Sequence, residues 1–181
     1  GRHDSAGLLI YAMGTSDGSY WKQDVTLTAG NTYVLSAFMK GSLISAGPAR
    51  IGYVGPGSSQ FSTGHTGSFD WRYVEMEFTA ESTGEIRLIL GDDSSGAEGS
   101  VWFDHIALVE KPSDQMLVVV SDYLSGYPGI EDALDEYHQD VMVQGWWSTT
   151  IFVSTTNTSA QFFCPTPQDL KNVINNNFFV N

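Results

Sequence analysis

The chain has 181 residues, 41% hydrophobic and 13% aromatic, with 8 Lys and Arg against 21 Asp and Glu for a net charge of -13. That apolar content suffices for a packed core in one domain or two small ones, and the acidity argues against nucleic acid or an anionic membrane surface as a partner, because both reward clustered cations. No apolar run approaches the roughly 18 residues that span a bilayer, the first residues lack the order of a signal peptide, and the single Cys164 excludes an internal disulfide and a multi-cysteine zinc site.

From the first residues onward, Gly, Asn, Asp and Pro mark turns at short intervals, and short runs rich in β-branched and aromatic residues lie between them. These runs predict strands over 7–12, 20–27, 32–40, 49–54, 71–79, 85–90 and 101–109, the spacing of an all-β sandwich or barrel. In the fifth run Val74, Met76 and Phe78 alternate with Glu75 and Glu77, so one face is apolar and the other reads as solvated. The run at 101–109 also mixes apolar residues with Asp104 and His105, as a half-solvated strand does.

Residues 111–115, Lys-Pro-Ser-Asp-Gln, then interrupt the pattern with a proline that cannot donate to a ladder, and they read as a seam between a unit at 1–111 and a unit at 112–181. The second unit carries 1 basic and 8 acidic residues, against 7 and 13 in the first. Its opening run, 116–120, is apolar throughout and reads as a strand covered on both faces. Ile130, Leu134, Tyr137, Val141 and Met142 recur at helical spacing, with Gly145 placed to cap the helix. A strand over 146–154 and a helix opening at Thr166-Pro167 complete a β-α-β-α order, the start of an open parallel sheet. Two strands and two helices cannot cover such a sheet, so the segment is expected to be incomplete, its ends filled by another domain or chain.

Four motifs carry a resemblance for the first unit. Gly18-Ser19-Tyr20-Trp21-Lys22-Gln23-Asp24-Val25, the run from Ala29 to Lys40, Trp71-Arg72-Tyr73 with Phe78-Thr79, and Val101-Trp102-Phe103-Asp104 stand in the order found in jelly-roll carbohydrate-binding modules attached to xylanases and other glycan-active enzymes. Residues 1–110 resemble that family, though its usual first strand is missing and His105 stands where an Asp is usual. Tyr127-Pro128-Gly129-Ile130 and the Thr166–Ile174 stretch resemble the opening of the caspase-like domain of gingipain-type cysteine peptidases, over about 65 residues of sequence. The catalytic His and Cys of that family lie on later strands, so the resemblance assigns Cys164 no role and implies no peptidase activity in this chain. Together the two resemblances imply an all-β jelly-roll sandwich followed by a short α/β segment, both belonging to a larger secreted or cell-surface bacterial protein.

Sugar binding combines aromatic faces with a few polar groups. Trp71 and Trp102 occupy positions expected to pack the sandwich, whereas Tyr53 and Phe61 flank a Gly/Pro/Ser-rich loop. The expected contacts are therefore Trp21, Tyr53 and Phe61, with Gln23, Arg50 and Arg87 as polar partners of a polysaccharide. The module resemblance further implies that Asp104 joins a structural calcium site. The Asp92-Asp93 turn lacks the spaced ligands of an EF-hand loop, Glu75 and Glu77 read as strand charges rather than a glycosidase pair, and His138 reads as an exposed helix residue. His3, His65 and His105 have no metal-ligand spacing. A spacer or adhesion sandwich that binds no sugar is the alternative.

Overall fold

A computed structural model describes residues 7–14, 18–91 and 97–153. His3, the turn at 92–96, Cys164 and the helix expected from 166 lie outside the described residues. Seven strands form one hydrogen-bonded sheet folded into a sandwich: β1 (Leu8–Met13), β2 (Ser19–Thr26), β3 (Thr32–Val54), β4 (Ser59–Phe61), β5 (His65–Thr79), β6 (Thr83–Leu90) and β7 (Glu98–Glu110). The all-β sandwich expected from the turn spacing is the fold.

The strand β3 belongs to both layers. Its first half lies between β5 and β7, with β1 beyond β7, and its second half lies between β4 and β6, with β2 beyond β6. The sequence suggests two strands with a Gly-Pro turn between them, but the chain stays in the ladder through register shifts and carries Leu43 and Ala46 at positive φ of 55° and 63°. Bulges of this kind bend a strand and increase its twist. The short β4 has no counterpart among the expected strands, because its three residues are too few to form a legible alternation.

Between the layers lies the core. Leu35, Ala37 and Met39 alternate inward from β3, Val74, Met76 and Phe78 from β5, Ile86, Leu88 and Leu90 from β6, and Val101 and Phe103 from β7. Tyr53 joins them from the far half of β3, its ring stacked on Phe78 at 4.2 Å between centroids and 15° between planes. Trp71 and Trp102 were expected in this core but take no place in it. Trp102 lies between the core residues Val101 and Phe103, which turns it to the outer face of the β5-β3-β7-β1 layer, and Trp71 lies where the β3–β5 register slips between Arg72 and Phe69.

The second segment packs on that same outer face. After β8 (Asp114–Ser121) come a 3-10 turn at Asp122–Leu124, α1 (Ile130–Val143) and β9 (Trp146–Val153), with β8 and β9 parallel. This is the expected β-α-β order. Gly129 opens α1 at φ 83°, Glu131 and Asp132 favour the positive end of its dipole, and Gly145 closes it at φ 92°. The strand β8 is less covered than its apolar run suggests: Val120 is buried, but Val119 is 41% exposed. Among the described residues, β8 pairs with β9 in a two-stranded sheet.

A polar residue makes the main contact between α1 and the sandwich. Gln139 is 4% exposed, and its Nε2 donates to Ser36 Oγ at 3.1 Å and to the carbonyl of His105. His105 has a φ of 48° and lies where the β3–β7 register slips between Ser36 and Phe38. At this bulge its carbonyl faces the helix. The face of Val34, Ser36 and Phe38, all fully buried, is therefore roofed by α1 and is not solvated as the alternation with Glu75, Glu77 and Asp104 suggested.

Replacing Gln139 with Ala would take a buried donor away from the Ser36 hydroxyl and the His105 carbonyl. The expected cost is about 1 to 3 kcal/mol, measured by urea unfolding followed through tryptophan fluorescence. A loss within experimental error would show that α1 is not anchored through Gln139.

Candidate glycan-binding face

The outer face of the other layer, β2-β6-β3-β4, lies on the side of the sandwich away from α1, and its register sets out three transverse rows. Lys22 pairs with Arg87, Arg87 with Gly52, and Gly52 with Phe61, a line across all four strands. On one side of this line run Tyr20, Ile89 and Arg50, and on the other Asp24, Glu85, Val54 and Ser59. Inward-facing Ile86, Leu88 and Leu90 alternate with this set along β6, which fixes its outward direction.

Two cation-aromatic pairs form the surface of the face. The Arg87 guanidinium lies 4.7 Å from the centre of the Tyr20 ring, and that of Arg50 lies 4.4 Å from the centre of the Phe61 ring. Glu85 fixes the middle: Oε2 accepts from Arg87 Nε at 3.0 Å and Nη2 at 2.9 Å, and Oε1 accepts from Lys22 at 2.5 Å. Those hydrogen bonds, from Lys22 first and Arg87 second, hold the Glu85 carboxyl below its ordinary range. Phe61 depends on a neighbour without a side chain. A Cβ on Gly52 would stand 2.3 Å from the Phe61 ring, so the ring rests where only glycine leaves room.

Of the six expected contacts, Phe61, Arg50 and Arg87 meet on this face. Trp21 and Gln23 sit on β2 opposite Leu88 and Ile86, so they share the parity of the inward-facing residues at the sheet edge and not that of the platform. Tyr53 is a correction: it is fully buried, its hydroxyl donates to the Thr83 carbonyl at 3.1 Å, and it accepts the Glu81 N–H at 3.1 Å. Proximity to a Gly/Pro/Ser loop suggested exposure, but Tyr53 has the parity of Ile51, and Gly84 vacates the space its ring fills. Sequence reasoning missed Tyr20, 46% exposed, together with Lys22 and Glu85. Pairing parity identifies all three once β2 is aligned with β6.

Asp104 is 8% exposed, and its Oδ1 accepts the His105 N–H at 2.9 Å. Among the described residues no three His, Cys, Asp or Glu side chains gather to hold a metal ion.

An open groove of about 540 Å³ runs beneath α1, lined by Tyr73, Glu75, His138, Trp147 and Ser148 among others. His138 was expected to be exposed, but its side chain is 14% accessible. Its Nδ1 lies 2.6 Å from Ser148 Oγ, its Nε2 lies 3.3 Å from Glu75 Oε2, and its ring meets Trp147 edge-on at 4.9 Å between centroids. Tyr73 donates to Glu75 at 3.0 Å, and burial followed by the Glu75 charge pushes its phenol well above the usual range. The order Ser-His-Glu matches that of a hydrolase relay. Ser148, however, is a strand residue 7% exposed, and the three groups act as a clamp between β9, α1 and β5.

No family model matches the chain, and no curated protein matches it. Solved structures similar to it include a CBM4 carbohydrate-binding module, at 18% identity and a TM-score of 0.39 over 51% of this chain and 61% of that one. TmCBM61, solved with β-1,4-galactotriose, gives 16% identity and 0.39 over 58% and 70%. The CBM22-1–GH10 modules of Clostridium thermocellum xylanase 10B, solved with xylohexaose, give 19% and 0.40 over 67% and 25%. Likeness this distant leaves any functional reading to the geometry of the face itself.

Two outcomes check these assignments. Tyr53→Ala should cost roughly 3 to 5 kcal/mol, as other large-to-small changes of buried aromatics do, and a thermal melt within a degree or two of wild type would contradict its burial. The second concerns acid. Partial burial pushes the Glu75 carboxyl up, but hydrogen bonds from His138 and Tyr73, with the charges of His138 and Lys111, outweigh it and hold it below the ordinary 4.5. A carboxyl lowered by folding adds stability above its unfolded value and loses it as pH falls through the folded one. Wild type should therefore lose stability below about pH 4.5 more steeply than Glu75→Gln, measured by urea midpoints along a pH series; parallel curves would dissolve the clamp.

Proposed function

We propose that the chain is a non-catalytic glycan-binding sandwich, 1–111, whose β2-β6-β3-β4 face holds a sugar chain, joined to the opening of an α/β unit at 112–181. The observation that supports this reading is the platform itself. Tyr20 and Phe61 stand on opposite edge strands of one open sheet face, with Arg87, Arg50, Lys22 and Glu85 between and beside them. Flat apolar rings suit the C–H faces of pyranoses, and charged donors and acceptors suit their hydroxyls. A strand spacing of about 4.8 Å makes the four-strand width roughly 14 Å, room for two or three sugar residues.

In this reading the protein belongs to a larger extracellular or cell-surface bacterial protein. No helix among the described residues is long and apolar enough to cross a membrane. The likeness of 112–181 to the opening of a gingipain-type peptidase domain belongs to the proposal; the parallel β8-α1-β9 order agrees with it, and none of the similar structures named above is a peptidase. A structural calcium ion at Asp104 also belongs to it, with further donors required from outside the described residues, and a change in melting temperature on adding chelator is its mark. The spacer or adhesion reading has one observation in its favour: the rings of Tyr20 and Phe61 already carry the guanidinium groups of Arg87 and Arg50.

Titration calorimetry against a panel of plant and bacterial polysaccharides separates the two. Tyr20→Ala and Phe61→Ala should each weaken binding about tenfold, with less than about 1 kcal/mol of destabilisation for Tyr20→Ala. Trp21→Ala, on the other parity of β2, should leave affinity within a factor of about two. Absence of binding to every polysaccharide at millimolar sugar would leave the spacer reading in place.

A further inference from the structure

The platform gathers cations although the chain as a whole is acidic. Three of the eight Lys and Arg residues of a molecule with net charge -13, namely Lys22, Arg50 and Arg87, lie on this one small face. Two carboxylates, Asp24 and Glu85, accompany them, so in the described rows of this face cations outnumber acids three to two, while the whole chain has 21 acids against 8 bases. At physiological salt, charges more than about 8 Å away are largely screened, and a ligand on the face meets the local sign rather than the total.

We infer that the ligand of this face is an anionic glycan, a chain of uronic acid residues whose carboxylates are read by Arg50, Arg87 and Lys22, with the rings of Tyr20 and Phe61 beneath two of these cations. The inference rests on the glycan-binding reading and narrows it to a class of polysaccharide. Register supports the match. Lys22 stands directly opposite Arg87 across β2 and β6, and Arg50 is Arg87's diagonal neighbour across β6 and β3. Diagonal neighbours in such ladders are roughly 7 to 8 Å apart, so the three cations lie within reach of carboxylates on adjacent sugar residues.

Glu85 strengthens the arrangement instead of cancelling it. It occupies Nε and one proton of Nη2 on Arg87 and one proton of Lys22. A guanidinium has five N–H donors and an ammonium three, which leaves donors on both groups. Glu85 holds the guanidinium 4.7 Å from the centre of the Tyr20 ring without ligand, so little side-chain freedom is lost on binding. Arg50 over Phe61 repeats the device on β3, placing a cation beside each ring. Neutral glycans need no such cations. Two arginines and a lysine on a surface of three rows go beyond what hydroxyl recognition requires, and charge-assisted hydrogen bonds to carboxylate are the stronger use of them.

Polygalacturonate and its fully methyl-esterified form have one backbone and differ in charge, which makes them the decisive probes. Affinity electrophoresis and calorimetry with the full chain should give at least about tenfold tighter binding to the acid than to the ester. The preference should fall toward unity in Arg50→Gln and in Lys22→Gln, each checked for folding by circular dichroism. Raising salt from about 0.05 to 0.5 M should weaken binding to the acid and leave binding to the ester nearly level. Equal affinity for acid and ester, or binding confined to neutral xylan, galactan or cello-oligosaccharides, would overturn the anionic assignment and leave the glycan-binding function standing. Equal retention of dextran sulfate and polygalacturonate that persists in Tyr20→Ala would mean plain charge attraction and would also overturn it. Binding to none of these glycans, acidic or neutral, would remove the function along with its refinement.

Discussion

One strand holds the two layers together. Because β3 runs through both layers, its first half defines a face that α1 packs on and its second half defines a face that no other described element covers. The bend between them passes through Leu43 and Ala46 at positive φ, a conformation that non-glycine residues adopt at a cost of order 1 to 3 kcal/mol each. Opposite the bend, Gly99 has φ 112°, and any Cβ there would stand 2.6 Å from the Leu43 carbonyl oxygen. The bent strand and its glycine neighbour are thus one feature. Straightening β3 would separate Tyr53 from Phe78 and with them the two halves of the core.

The outer faces of the two layers are finished differently, and the difference follows from their side chains. Val34 and Phe38 on the first face are large and apolar, and they flank Ser36, whose hydroxyl needs a partner if it is buried. Gln139 supplies that partner and the His105 carbonyl gains one too, so a buried amide specifies where α1 sits. On the second face Ile89 is the large apolar residue in its row, and it is 6% exposed beside Tyr20, Arg50 and Arg87. Long cationic stems and an aromatic ring can shield one isoleucine from water while their polar ends remain wetted. Among the described residues no helix covers that face.

Strand alternation made much of the fold legible. Val74, Met76 and Phe78 point inward as their spacing indicates, and the β8-α1-β9 order follows from the change in period after the proline. What alternation cannot express is which chain covers the other face. Glu75, Glu77 and Asp104 look like solvated strand positions, yet Glu75 takes part in a clamp with His138, Lys111 reaches Glu77 at 2.6 Å, and Asp104 is buried. Charge on a strand face reports polarity, not exposure. The same limit explains the candidate contacts. Aromatic type and loop proximity selected Trp21 and Tyr53, while pairing register selects Tyr20 and excludes Tyr53. A shift of one residue changes the face of a strand, so a site list built without register is divided between the two sides.

Glycines tie the candidate face to the core. Gly52 on β3 leaves room outside for Phe61, and Gly84 on β6 leaves room inside for Tyr53, with hypothetical Cβ contacts of 2.3 Å and 2.4 Å to the two rings. Tyr53 follows Gly52 directly, so adjacent positions of one strand seat an inner ring stacked on Phe78 and leave the place for an outer ring beneath Arg50. Each ring covers backbone that a glycine would otherwise expose, and each is held by what lies beneath it. Phe61 therefore stands on a rigid central strand, although it belongs to a strand of only three residues. A flexible loop could carry the same aromatic, but it would lose more freedom on binding. Placing the ring over Gly52 lets the core that fixes Tyr53 also fix the platform on which a sugar would rest.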